Sequence, residues 1–226
     1  MPFYVNTQKP DSSREIARLL EKCIKRHKRD WTEIVFLCIG SDRVTGDCLG
    51  PYVGYRLSQH QLPGIFVYGT LNQPVHAVNL SDITDFISRN HPFALVIAID
   101  ASLGDERHLG YVTIGNGSLY PGAAVQKDLP PVGDIYITGI VNIAGILEYL
   151  TLQTTRLSTV ITLADTIAQG ILGNFIEQYG KQKLSLPFAV CLFIISLFRI
   201  SKRSSVKNRH IASWRQHHIG KAQPIR

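Results

Sequence analysis

A chain of 226 residues that is 45% hydrophobic and 18% charged carries enough apolar material for one α/β domain with a sizeable core, which excludes bulk disorder. Its net charge of +7 is unevenly placed: residues 1–180 hold 14 Lys and Arg against 17 Asp and Glu, while residues 181–226 hold 10 Lys and Arg and no acid. The basic balance belongs to the C-terminal stretch, so no nucleic-acid partner is expected for the folded body.

Residues 1–11 read as a loose N-terminal arm with neither a basic n-region nor an apolar h-region, so no secretory signal is expected and the chain reads as cytoplasmic. The four cysteines, Cys23, Cys38, Cys48 and Cys191, form no CxxC pair and read as reduced thiols. Ser12-x-x-Glu15 has the pattern of a capping box, and Ile16, Leu19, Leu20, Cys23 and Ile24 fall on one stripe of the helix that follows. The basic run 25–29 fits a solvated helix end, where cations oppose the helix dipole favourably.

Three short apolar runs follow, at 34–39, 65–68 and 94–99, separated by helical candidates at 51–59 and 81–90. Nearly unbroken apolar strands are those covered on both faces, and the order β-α-β-α-β predicts a parallel sheet with right-handed crossovers. Two further strands are expected at 111–114 and 135–140, with a long loop rich in Gly and Pro, 115–133, between them. A helix over 143–156, apolar on most sides, is expected to be buried; another begins at Ser158 and is expected to stop at Gly180. The main domain thus spans 12–180, followed by a basic tail, 181–226.

The tail contains an uncharged apolar segment, 184–198, shorter than the roughly 17–25 residues of a spanning helix. Three readings stand for it: a membrane contact with a basic flank, an element packed on the body, or the product of a shifted reading frame.

Ligands of an open α/β sheet bind beyond the carboxyl ends of its strands. Asp47 lies in the loop CIGSDRVTGDCLGP after the first strand of this sheet, and Asp100 ends the third, in VIAIDASLG. Both leave from the same edge, so they are expected to converge. Two close carboxylates push one pKa upward, which suits acid/base chemistry or a divalent cation. Asp42 is a third candidate, and His76, after the second strand, reads as a base or metal ligand. The loop is neither a P-loop, since GKS and GKT are absent, nor a GxGxxG dinucleotide turn, and no cofactor is expected. Cys48 assisted by His76 is a weaker nucleophile reading, with a buried structural thiol favoured. Thr45 and Ser102 lack the GxSxG context and read as hydrogen-bond partners of the carboxylates.

Gly40-x-x-x-Val44-Thr45-x-Asp47-x-Leu49-Gly50-Pro51 resembles the aspartate loop of the spore germination protease, and Asp100 in AIDA resembles that family's second aspartate. GTLNQPVHAVNLSDI, VIAIDASLG, KDLPPVGDIYITGIVNIAGILEYLTLQTTRL and ADTIAQGI resemble the YyaC family of sporulation proteins, over about residues 12–171. The hydrogenase-maturation endopeptidases share the fold and grip a metal of their substrate at similar strand ends. The resemblance implies a three-layer α/β/α, phosphorylase/hydrolase-like fold with a mostly parallel sheet. It also implies a sporulation peptidase using Asp47 and Asp100 on a protein or peptide substrate, in the forespore or mother cell. A non-catalytic scaffold, and a metal-recognising protein using Asp47, Asp100 and His76, are the alternatives.

Overall fold

The computed structural model describes residues 1–121 and 129–185, with side-chain surroundings through Phe175. The chain divides into two compact units, Met1–Ile176 and Glu177–Arg226. The first holds the sheet and the candidate site. The apolar segment 184–198 lies outside the described residues from position 186 onward. Among the described residues, no helix is long and apolar enough to cross a membrane.

The six strands are β1 (Phe3–Asn6), β2 (Glu33–Cys38), β3 (Ile65–Tyr68), β4 (Ala94–Gly104), β5 (Tyr111–Asn116) and β6 (Ile135–Ile143). They form one sheet in the order β1-β5-β6-β4-β2-β3. The four strands from β6 to β3 are parallel, as the alternation of apolar runs and helices predicts. β5 is antiparallel to β6, and β1 to β5. The reason lies in the connection: β4 and β5 are joined by only a short turn around Glu106–His108, which leaves no length for a crossover helix.

The helices are α1 (Ser12–Arg26), α2 (Leu49–Ser58), α3 (Leu80–Asn90), α4 (Glu148–Gln153) and α5 (Leu157–Ser185). On one face of the sheet, Phe36, Ile97, Ile99 and Ile137 pack with Leu20 of α1, Val53 of α2 and Ile167 of α5. On the other, Val35, Leu37, Ile39 and Ala98 meet Leu80 and Ile87 of α3. Strand alternation feeds both layers, which makes the three-layer α/β/α arrangement.

Four local expectations are corrected. Residues 3–6, read as part of a loose arm, form the edge strand β1, with Val5 fully buried. The capping box does not form: Ser12 is already helical and buried, and Asp11 precedes the helix without a side-chain cap bond. α5 runs through Gly180, because one interior glycine costs only about 1 kcal/mol and helix formers follow it. The helix expected over 143–156 shrinks to α4 and is not buried: Ile146, Leu147, Tyr149 and Leu150 are all exposed, and only Leu152 enters the core.

α2 lies against the carboxyl ends of β2 and β3 because it presents Gly50 and Gly54 to them. A Cβ on Gly50 would overlap the Ile39 carbonyl oxygen, and one on Gly54 the Gly69 carbonyl oxygen. Gly50→Ala is therefore expected to cost the ~1–3 kcal/mol of an overpacked core or more, seen as a lower urea midpoint at unchanged slope. A midpoint equal to that of the parent would show that α2 can back away from β2 freely.

Candidate active site

From β2 the chain goes outward to β3 and then crosses to β4 on the other side of β2, so the strand order reverses between β2 and β4. A crevice opens at such a reversal because the two connections leave in opposite directions. A cavity of about 510 Å³ lies there, and Asp47, His76, Asp100 and Ser102 all line it. Asp47, His76, Asp100 and Ser102, four of the seven residues singled out in the sequence, thus meet at one place.

The loop after β2 is folded by its glycines. Gly40 has φ +134°, a left-handed value open to glycine, and a Cβ there would overlap the Asp47 carbonyl oxygen. The Ser41 amide donates to that carbonyl at 3.2 Å, closing the loop. A 3-10 turn, Thr45–Cys48, then carries Asp47 to the cavity wall, and its Gly46 abuts Leu152 of α4 so closely that a Cβ would sit 2.8 Å from the leucine. Thr45 is absent from the cavity lining. Its carbonyl instead accepts the Cys48 thiol at 3.1 Å, so it shapes the turn and does not serve a carboxylate. Asp42 is exposed and also absent from the lining.

His76 arrives from the other side. Val75 forms a parallel bridge with Ile39, and the Gly40 amide donates to the Val75 carbonyl at 2.8 Å, so His76 must follow directly beside the aspartate loop. The Asn79 side-chain oxygen accepts from the His76 amide at 2.8 Å, and His76 Nδ1 accepts from the Val78 amide at 3.3 Å. With Nδ1 accepting, a neutral ring carries its proton on Nε2.

Asp100 is 8% exposed. Strand alternation directs it to the α3 face with Ala98, where β2 has ended and the cavity begins. The Ala101 amide donates to Oδ1 at 2.8 Å. Burial pushes the Asp100 carboxyl well above the usual carboxylate range, the charge of Asp47 pushes the same way, and the Ala101 bond opposes them only in part. Burial also raises Asp47, though less far, because the Ser41 amide and His76 offset part of the shift. The two carboxyls therefore differ in kind: Asp100 favours its protonated form, and Asp47 has partners for its charge.

Ser102 does not bond a carboxylate, contrary to expectation. It donates to Thr138 Oγ1 and to the Gly139 carbonyl, both at 3.3 Å, because it sits on β4 two residues beyond Asp100, beside β6. Thr138 stands opposite Asp100 in register, lines the cavity and shares a 2.6 Å hydrogen bond with Thr113. Sequence reasoning passed over Thr138; the signal was a hydroxyl at an inward position of an otherwise apolar strand. Arg43, Tyr120 and Tyr149 also line the cavity and were not foreseen, since each lies in a loop or a short exposed helix.

Cys48 is no nucleophile in this arrangement. It is buried, absent from the lining, and its thiol pKa is raised by burial and by Asp47 and Asp42. Among the described residues, no group of three or more His, Cys, Asp or Glu side chains is arranged to hold a metal ion, so the Asp47–Asp100–His76 metal reading lacks its cluster.

A family model described as a protein of unknown function (DUF1256) matches residues 4–170, and the chain belongs to this family. An uncharacterised protein of Bacillus subtilis (strain 168), YyaC, is 47% identical over 182 residues, covering 80% of this chain and 88% of its own length. The membership of the YyaC family expected from the sequence is thereby established. A solved structure of an uncharacterised protein from Wolinella succinogenes is similar at 15% identity and a TM-score of 0.37, over 67% of this chain and 99% of that one.

A buried acid with a raised pKa binds its proton more tightly folded than unfolded. Stability is therefore fullest below the unfolded-state pKa and falls as pH rises through the interval up to the folded value. Asp100→Asn keeps an oxygen for the Ala101 amide and removes that loss. It is expected to raise Tm at neutral pH by about 2–4 °C per kcal/mol released and to flatten the decline of stability above pH 4–5. A lower Tm at neutral pH in calorimetry would show that the carboxyl is not a destabilised group.

Proposed function

We propose that the protein is a peptidase that hydrolyses a protein substrate with Asp47 and Asp100, and that it acts in the cytoplasm of a spore-forming cell. The observation that carries this reading is the pairing of two unequal carboxyls in one cavity at the strand-order reversal, both pushed up by burial but Asp100 much further than Asp47. The resemblance of the Asp47 loop to the germination protease supports the reaction class and the cellular setting.

In the proposed reaction, ionised Asp47 takes a proton from water while the water oxygen bonds to the scissile carbonyl carbon. Protonated Asp100 gives its proton to the carbonyl oxygen, so a neutral gem-diol forms with Asp100 ionised and Asp47 protonated. Asp47 then passes its proton to the amide nitrogen, the C–N bond breaks, and a gem-diol hydroxyl returns a proton to Asp100. Atoms and charge balance, and each aspartate ends in its starting state. The cavity walls limit competing solvent around both carboxyls, which strengthens their electrostatic action. His76 and the Ser41 amide keep Asp47 the stronger acid of the two, fixing which residue is the base.

Asp47→Asn and Asp100→Asn are each expected to lower kcat/KM on a protein substrate by about 10²–10⁴-fold. The parent profile is expected to be bell-shaped, its acid limb set by protonation of Asp47 and its alkaline limb by ionisation of Asp100. Small acid-soluble spore proteins, followed by gel and mass spectrometry, provide the assay. Equal cleavage by the parent and both variants would retire the two-aspartate mechanism.

A further inference from the structure

β2 pairs with β4 only as far as Cys38 opposite Ile99, yet β4 continues to Gly104. On its other side β4 stays paired with β6 along this extension, with a register shift between Ser102 and Leu103. The Ile39 amide donates to the Ile99 carbonyl, so Ile99 faces β2, and strand alternation directs the backbone groups of Ala101 and Leu103 the same way. The Gly104 carbonyl accepts from Ala144 beyond β6, which fixes the opposite direction for the residue next to Leu103. The Ala101 amide is taken by Asp100, leaving the Ala101 carbonyl and the Leu103 amide and carbonyl with no strand beside them among the described residues. Ala101, Ser102 and Leu103 line the cavity.

Ala101–Leu103 are half-exposed, and an open sheet edge of this kind is met best by another extended backbone. The cavity walls fit such an occupant. Val44 and Leu152 come from the layer of α1, α2 and α5, and Leu119 and Leu129 from the layer of α3. A strand sends alternate side chains to opposite sides, and both sides here are apolar. The mouth presents large apolar side chains beside Arg43 and Glu148: Tyr120 is 74% exposed, Val78 78% and Tyr149 48%. A helical segment would face the edge without donors or acceptors to offer it.

We propose that the substrate binds as an extended, largely apolar polypeptide segment that adds a strand to β4 at Ala101–Leu103, in the lane that β2 vacates. The segment continues the β2–β4 ladder, so its backbone runs past Asp100 and the carbonyl to be attacked lies beside the two carboxyls. This inference takes its choice of substrate from the peptidase reading. It adds a requirement for unfolded or extended chain and for alternating apolar side chains.

The test uses the full chain carrying Asp47→Asn and a library of nonapeptides with Lys at both ends and Val, Leu, Ile, Thr or Ser between. Amide hydrogen exchange at Leu103 is read with the library and with its alternately N-methylated counterpart. The expected result is protection of the Leu103 amide by about tenfold or more with the unmodified library, and none with the N-methylated one. Absence of protection at millimolar library, or equal protection by both libraries, overturns the strand-addition mode. Release of new amino termini by the unaltered chain is followed in parallel. Protection without cleavage retires the peptidase reading and leaves the docking mode standing; cleavage without protection does the reverse.

Discussion

The site depends on a mismatch in length between two neighbouring strands. β2 gives up its pairing at Ile39 while β4 runs on to Gly104. That mismatch needs the chain to leave β2 at once, and three glycines permit it: Gly40 by its left-handed backbone, Gly46 by its contact with Leu152, and Gly50 by its approach to the Ile39 carbonyl. Any side chain at these positions would push the aspartate loop outward. The glycines are thus conditions for the cavity, and Asp47 is placed by them.

The same mismatch explains why Asp100 is held in an unfavourable medium. It belongs to the central strand of the sheet, with Ile97, Ala98 and Ile99 all buried, and among the described residues its carboxyl accepts a hydrogen bond only from the neighbouring Ala101 amide. A carboxyl there has lost most of its water and sits near a second carboxyl, so its neutral form is favoured. Asp47 comes from a loop, keeps partial exposure and is approached by the Ser41 amide and His76. Strand against loop is therefore the structural origin of the difference between the two carboxyls, and in the proposed reaction it would separate acid from base. Burial on the strand favours the neutral carboxyl at some expense of folding stability at neutral pH.

Much of this was legible in the chain. Unbroken apolar runs alternating with helical stripes specify a parallel sheet, and that sheet aligns Asp47, His76 and Asp100 at one edge before any distance is known. What was not legible depends on pairing partners remote in sequence. Residues 3–6 become a strand only because β5 offers an edge more than a hundred positions away. The direction of β5 follows from the length of a turn, which a periodicity argument does not weigh. Thr138 belongs to the site because its register on β6 matches Asp100, and register is a tertiary quantity.

α4 shows a different limit. A segment apolar on most sides reads as core, because burial is the usual fate of such a pattern. Here Leu152 alone is buried, while Ile146, Leu147, Tyr149 and Leu150 stay exposed near the cavity mouth that Glu148 and Tyr149 help to line. Hydrophobicity reports a preference for leaving water and does not say whether the covering surface belongs to the same molecule. Exposed apolar side chains gathered on a short helix beside an open sheet edge carry a standing cost in water that folding alone does not remove. An extended apolar chain laid along β4 would remove part of it at Tyr149 while pairing the Ala101 and Leu103 backbone. On the proposed strand-addition mode, the surface that looked like misplaced core and the unpaired end of β4 would be two halves of one substrate lane.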